Sequence, residues 1–299
     1  MSRKDMLKNT FSNVIDDYEY ARPKYPQELY DKIQAFCEID DNADVLEVGA
    51  GTGQATDLIL RNCFCNIDLL EVSKEQADFL SEKYRDNGNV AVVYSYFEDM
   101  AEDKKYDVIY SATAFHWIDS EVGYPKAYRM LKTGGTMAVF WQMSSVTYYN
   151  FGIFEGLNNI KKKYLPNESL GFDDTGIRQV KEKRIGQIQS GGYFGEPECY
   201  EFRWTDTYDA DRYVALLNTY SSTQLLEESV RRTYLEEALT LWERWRKPSP
   251  QRMQPLLLYP VRMALKWERK RPGSYAINTI CPVSFLLPIW ISTMPPSKT

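Results

Sequence analysis

The chain has 299 residues, a net charge of −6 and an apolar fraction of 43%. That length accommodates one large α/β domain with an insertion, or two small domains, with enough apolar material for a real core. The acidic balance disfavours an enzyme that grips duplex nucleic acid, because phosphate contacts call for a basic surface, and it favours a small-molecule partner.

The N-terminal MSRKDMLKNTF is polar and lacks the apolar core of a signal sequence, and no window reaches the length of a membrane span. The five cysteines, Cys37, Cys63, Cys65, Cys199 and Cys281, have no CxxC spacing and read as reduced, mostly buried thiols. No metal site is expected, and a cytoplasmic location is.

In chain order, strand and helix signals alternate over the first 140 residues, the pattern of a parallel sheet with crossover helices. ADVLEVG (43–49) is a buried strand ending in glycine, followed by the helix TGQATDLILRN. CNIDLLE (65–71) is the second strand, with the helix SKEQADFLSEKYRD (73–86) behind it; NVAVVYSYF (89–97) is the third strand and YDVIYSATA (106–114) the fourth. YPKAYRMLK is a helix closed by Gly134-Gly135, and TMAVFWQ (136–142) is the fifth strand. Residues 143–190 read as helices with loops, carrying basic residues (Lys161 to Lys163, Lys181 to Arg184) that suit a solvated face. ECYEFRWTDTY (198–208) returns to strand, and DADRYVALLNTY starts a helix capped by Asp209 or Asp211. From Arg244 onward the chain holds nine of its fourteen prolines, ten of its 36 Lys and Arg, and one acid, Glu268. Such a segment is expected to be irregular, as either an extension without a regular fold or a different reading frame. The resulting division is a lid at 1–33, a core at 34–142, a helical insertion at 143–190, the rest of the core at 191–243 and a Pro-rich basic tail at 244–299.

The central motif is Glu47-Val48-Gly49-Ala50-Gly51-Thr52-Gly53, where a strand turns sharply into a helix. Glycines permit the turn and a close backbone approach, and the helix N-terminus beyond offers free N–H groups. The nicotinamide pattern G-x-G-x-x-G fails here, because its third position falls on Gln54 or Thr56 according to register. The pattern E-x-G-x-G-x-G succeeds. Glu71 ends the second strand 22 residues after Gly49, where an acid accepts hydrogen bonds from ribose hydroxyls.

VLEVGAGTGQAT, LLEVS, FEDM, YDVIYSATAFHWID and LKTGG, in this order and spacing, resemble the class I S-adenosylmethionine-dependent methyltransferases. YEYARPKYP (18–26) and TAFHW are similar to a small-molecule branch related to trans-aconitate methyltransferase. The resemblance covers residues 10–142 strongly, 190–240 more loosely, and nothing after Arg244. It implies a Rossmann-like, doubly wound α/β fold: a mostly parallel seven-stranded sheet with a helical insertion after the fifth strand and a last strand running antiparallel. LLLYPVRMAL (256–265) is the candidate for that last strand, though Pro260 interrupts it. It implies S-adenosyl-L-methionine as cofactor, held by Glu47, Gly49, Ala50, Gly51, Gly53, Glu71, Val72, Phe97, Glu98 and Ala114. Tyr96 stands where the family usually places an acid against the adenine. Tyr18 and Arg22, four residues apart, would share a lid-helix face, with Arg22 either pairing the methionine carboxylate or stacking on tyrosine. His116, the single histidine, is the candidate general base, within an acceptor pocket of His116, Trp117, Trp141 and Tyr220. The rival class is a non-catalytic S-adenosylmethionine-binding regulator.

Overall fold

A computed structural model describes residues 14–145, 151–168, 170–246 and 281–293. The N-terminal helices α1 (Ile15–Ala21) and α2 (Gln27–Cys37) precede the alternating core. That core runs β1 (Asp44–Val48), α3 (Gln54–Leu60), β2 (Asn66–Glu71), α4 (Lys74–Lys83), β3 (Val90–Tyr94), β4 (Tyr106–Ala112), α5 (Ser120–Met130) and β5 (Leu131–Phe140). The second half contains β6 (Met143–Ser145), α6 (Phe151–Tyr164), α7 (Asp174–Gln189), β7 (Glu198–Tyr208), α8 (Ala210–Asn218), α9 (Ser221–Gln224), α10 (Glu228–Arg246) and β8 (Cys281–Thr293).

Five parallel strands in the order β3-β2-β1-β4-β5 form the central sheet. The chain reverses direction of winding between β1 and β4, and in open α/β sheets the ligand crevice lies at that switch, outside the carboxyl ends of the strands. The apolar run of β1 is buried on both faces, as a central parallel strand must be. Alternation then divides its residues: Val45 joins Leu29, Ile33, Leu58 and Tyr110 on one side of the sheet, while Leu46 and Val48 join Ile109, Tyr124 and Met137 on the other. A third cluster, including Ala21, Leu157, Leu217, Tyr234 and Trp242, binds α1, α6, α8 and α10 into a helical cap. Ala21 of α1 belongs to this cap cluster, whereas Leu29 and Ile33 of α2 belong to the sheet core.

The expected count of seven strands is not what the fold shows. Beyond the five parallel strands, β8 runs antiparallel to β5, and β6 and β7 both pair with it, so the sheet continues past the parallel part to eight strands. The strand expected at 256–265 lies outside the described residues; the antiparallel partner of β5 comes instead from 281–293, within the segment expected to be irregular. Pro282 and Pro288 are registered with Thr207 and Glu201 of β7, but both fall outside the residues registered with β5 (289–293) and β6 (284–286). On the β5 and β6 side, the ladder therefore places no demand on their missing N–H. The expected closing of α5 by glycines also shifts: the helix stops at Met130, and Leu131 already pairs with Tyr106. Asp209, not Asp211, caps α8 by accepting from the Arg212 N–H.

Candidate cofactor and acceptor site

A cleft of about 720 Å³, open solvent at its mouth included, sits at the carboxyl ends of β1, β2 and β4. Its floor is the loop after β1, where Gly49, Gly51 and Gly53 all take left-handed backbone conformations, with φ of +75°, +61° and +85°. Each is needed for its own reason. A Cβ on Gly49 would meet the Cβ of Ala114 at 2.4 Å, so this glycine lets the loop press against the end of β4. A Cβ on Gly53 would strike the Tyr84 hydroxyl at 2.4 Å, so this one lets α3 approach α4. A Cβ on Gly51 would meet nothing within 4 Å, and Gly51 lines the cleft. The middle glycine thus faces space for a ligand, while the outer two seat the loop.

Glu71 braces the loop from β2. Its Oε2 accepts from the Gly51 N–H, and its Oε1 accepts from the N–H groups of Val72 and Ser73, all at 2.8 Å. Burial pushes its carboxyl above the ordinary range, and the three backbone donors pull the other way. The helix cap that a solvated acid here would supply comes instead from Ser73, which accepts from the Gln76 N–H. Glu71 lines the cleft, and its carboxylate keeps one acceptor site beyond these three bonds, on Oε2, for a hydroxyl in the cleft. Glu47 lies beneath the loop and does not line the cleft: its Oε2 accepts from the Thr56 hydroxyl at 2.5 Å and the Tyr110 hydroxyl at 2.6 Å. Burial pushes its pKa up to about 7 against those two hydrogen bonds.

The cleft walls are apolar and aromatic. Val72, Phe97, Trp117 and Ile118 line it, along with Tyr18 from α1, Tyr96 and Glu98. The 3-10 turn Phe97–Asp99 is fixed by Lys126, a buried lysine of α5 whose Nζ donates to the carbonyls of Glu98 and Met100. Thr113, at the end of β4, has a φ of +57°, uncommon for a β-branched residue. Its N–H donates to Phe140 O and its Oγ1 accepts from the Gln142 N–H and lies 3.3 Å from the Tyr25 hydroxyl. Such strain persists only where the surroundings over-determine it, and it concentrates at ligand sites. Lys126 and Thr113 escape a reading of the sequence, since neither lysine in a helix nor threonine at a strand end carries a signal.

Of the expected cofactor residues, the structure brings Tyr18, Gly49, Gly51, Glu71, Val72, Phe97, Glu98 and Ala114 to the cleft. Ala50 and Gly53 build the loop without lining it. Arg22 also does not line it. Its guanidinium lies 4.9 Å from the Tyr18 ring centroid and 4.8 Å from that of Tyr220, with Nε donating to Thr219 Oγ1 at 2.9 Å. The guanidinium is thus stacked against two tyrosine rings, one of them Tyr220, which does not line the cleft.

Of the expected acceptor residues, Trp117 lines the cleft and His116 packs beside it with ring centroids 4.7 Å apart. Trp141 Nε1 donates to His116 Nδ1 at 2.9 Å. An imidazole that accepts at Nδ1 carries its neutral-form proton on Nε2. Among the described residues no cluster of His, Cys, Asp and Glu could hold a metal ion, and no helix is long and apolar enough to cross a membrane.

Residues 46–139, the segment holding the loop, the β2 acid and β4, match the family described as Methyltransferase domain. An uncharacterized methyltransferase of Schizosaccharomyces pombe is 31% identical over 139 residues, covering 46% of this chain and 54% of that protein. Malonyl-[acyl-carrier protein] O-methyltransferase 1 of Ilyobacter polytropus is 32% identical over 151 residues, 49% of this chain and 55% of that one. The chain spans about half the length of the curated relatives it matches. The fold is shared with a phosphoethanolamine N-methyltransferase 2 structure from Haemonchus contortus, with a TM-score of 0.53 at 11% identity over 99% of this chain and 60% of that one. Residues 46–139 are thus similar to a methyltransferase domain, in sequence to these relatives and in fold to the solved structure.

Proposed function

We propose that this protein transfers the methyl group of S-adenosylmethionine to a small-molecule acceptor. The observation that carries the reading is the pairing of Gly51, whose missing side chain leaves open space, with Glu71, whose carboxylate borders the same space. The residues suit the cofactor: an acid for ribose hydroxyls and apolar and aromatic walls for a flat base, gathered in one cleft. When bound, the cofactor supplies a methyl on a sulfonium, already activated for in-line displacement. The chain's own share is alignment and exclusion of water. Glu71 orients the sugar, Phe97 and Val72 flank the base, Tyr18 covers the mouth from α1, and Trp117 with His116 borders the acceptor side.

The narrower likeness, to the trans-aconitate methyltransferase branch, rests on YEYARPKYP and TAFHW. The acidic chain favours a small acceptor over nucleic acid. One relative's name, malonyl-[acyl-carrier protein] O-methyltransferase, supports an oxygen acceptor for this domain type. The test is calorimetry with S-adenosylhomocysteine and with NAD, followed by S-adenosylhomocysteine release from S-adenosylmethionine on a panel of small acids, phenols and amines. Binding of the first and not the second, with turnover on the panel, is expected. Binding of NAD alone would overturn the cofactor, and cofactor binding with no turnover on any acceptor would make the chain a regulatory binder.

A further inference from the structure

A ribose presents two neighbouring hydroxyls, and each needs a hydrogen-bond partner once it leaves water. Glu71 cannot answer both. Its Oε1 is filled by the N–H groups of Val72 and Ser73, and its Oε2 already accepts from the Gly51 N–H. One acceptor site remains on the carboxylate, enough for one hydroxyl. The other calls for a second polar group at the same place in the cleft.

Gln76, in the first turn of α4, stands there. It is 3% exposed and lines the cleft, and among the described residues its side-chain amide makes no hydrogen bond. Its freedom has a local cause. Ser73-Lys74-Glu75-Gln76 has the sequence of a capping box, in which the serine caps the helix and the glutamine three residues on reaches back to the serine N–H. Only half of the box forms. Ser73 is the N-cap of α4, and its Oγ accepts from the Gln76 N–H at 3.3 Å. The Ser73 N–H, which the amide would take in return, donates to Glu71 Oε1 instead. Side chains on a helix lean toward its N-terminus, so the displaced amide stays on the Glu71 side of α4. An amide buried without a partner is costly, and an apolar side chain would fill the same position without that cost.

We infer that Gln76 is a cofactor-binding residue that takes one ribose hydroxyl of S-adenosylmethionine while Glu71 takes the other. This rests on the methyltransferase reading and deepens it. The sugar is held by two unlike groups, a carboxylate that only accepts and an amide that both donates and accepts. The site therefore selects an intact diol, one hydroxyl for each side chain.

The test is calorimetry on the full chain with S-adenosylhomocysteine and with its 2′-deoxy and 3′-deoxy analogues. Wild type should bind the parent more tightly than either analogue. Gln76→Met, close in length and without an amide, should bind the parent about 3- to 10-fold more weakly, the worth of one neutral hydrogen bond. One analogue should bind this variant as tightly as it binds wild type, because the hydroxyl it lacks is the one Gln76 serves. The other should keep its full loss. In turnover, the S-adenosylmethionine KM should rise by the same factor with kcat unchanged, and the unliganded Tm should hold. A variant that binds the parent as wild type does would overturn the inference. So would losses that are fully additive for both analogues, which would place Gln76 against another part of the ligand. A variant that melts several degrees lower and loses all three ligands equally would make Gln76 a packing residue. If wild type binds none of the three, the methyltransferase reading itself falls and takes this inference with it.

Discussion

The two sides of the cleft are built in different ways. The cofactor side is made from backbone: three left-handed glycines and three N–H groups gathered on one carboxylate, all between residues 49 and 73. The proposed acceptor side is made from side chains brought together across a longer stretch: Trp117 and His116 from the turn after β4, and Trp141 from just beyond β5. A backbone-built wall tolerates little variation, because its shape is its φ angles and its missing Cβ atoms. A side-chain wall can be altered one group at a time without disturbing the strands beneath it. Cofactor binding and acceptor choice should accordingly respond to different substitutions.

The largest expected effect is on the cofactor side. Gly51→Val places a β-branched side chain at a φ of +61° and in the open space of the cleft. The backbone strain alone costs about 1–3 kcal/mol, and the side chain occupies the ligand's place. Calorimetry should register no binding of S-adenosylhomocysteine, and retained binding would place the cofactor elsewhere.

Beneath the same wall, Glu47 should make stability depend on pH. Burial raises its folded pKa to about 7 from an ordinary 4.5. Between those values the native state holds a proton that the unfolded chain has released, so stability is full below pH 4.5 and falls as pH rises through 7. The loss reaches about 3 kcal/mol at most. Glu47→Gln keeps an acceptor for the Thr56 and Tyr110 hydroxyls and cannot ionise. Urea titrations at a series of pH values should give a shallower decline for the variant; identical declines would show that Glu47 is not the titrating group.

On the acceptor side, His116→Ala should lower kcat/KM about 10- to 100-fold, as loss of a hydrogen bond that leaves its partner unsatisfied does. Cofactor affinity should hold, since His116 does not line the cofactor cleft. A fall of roughly 10⁴-fold together with loss of the acid limb of the pH–rate profile would mark a general base instead.

The smallest effect should come from Trp141→Phe, which keeps an aromatic surface under Arg184 and removes the N–H that orients His116. A loss of about fivefold in kcat/KM is expected, the worth of one neutral hydrogen bond. It should disappear in a His116→Ala background. Full additivity in the double mutant would mean that Trp141 acts independently of the imidazole.

The two sides also differ in how far the amino-acid order revealed them. The glycine loop, Glu71 and the five parallel strands were legible because each is local: an apolar run, a turn that only glycine can make, an acid at the next strand end. Position in the motif did not separate ligand-facing from structural members. Glu47 and Gly53 belong to the same pattern as Gly51, yet they support the loop from beneath and behind, because depth is decided by Thr56, Tyr110 and Tyr84 arriving from other elements. Arg22 could equally have met a carboxylate or an aromatic pair; the packing of α1 on α8 and α9 selected Tyr220 and Thr219.

From the order of residues alone followed the parallel α/β core, the glycine loop and the acid that ends β2, since strand periodicity, left-handed glycine turns and strand-end positions are properties of short stretches of chain. Tertiary structure alone decided the antiparallel edge and the acceptor wall. The strand bearing Pro282 and Pro288 takes its place by pairing with β5, β6 and β7, segments far from it in the chain. The orientation of the His116 imidazole exists only once Trp141 has been brought beside it. Both depend on contacts between residues far apart in sequence, which no local pattern encodes.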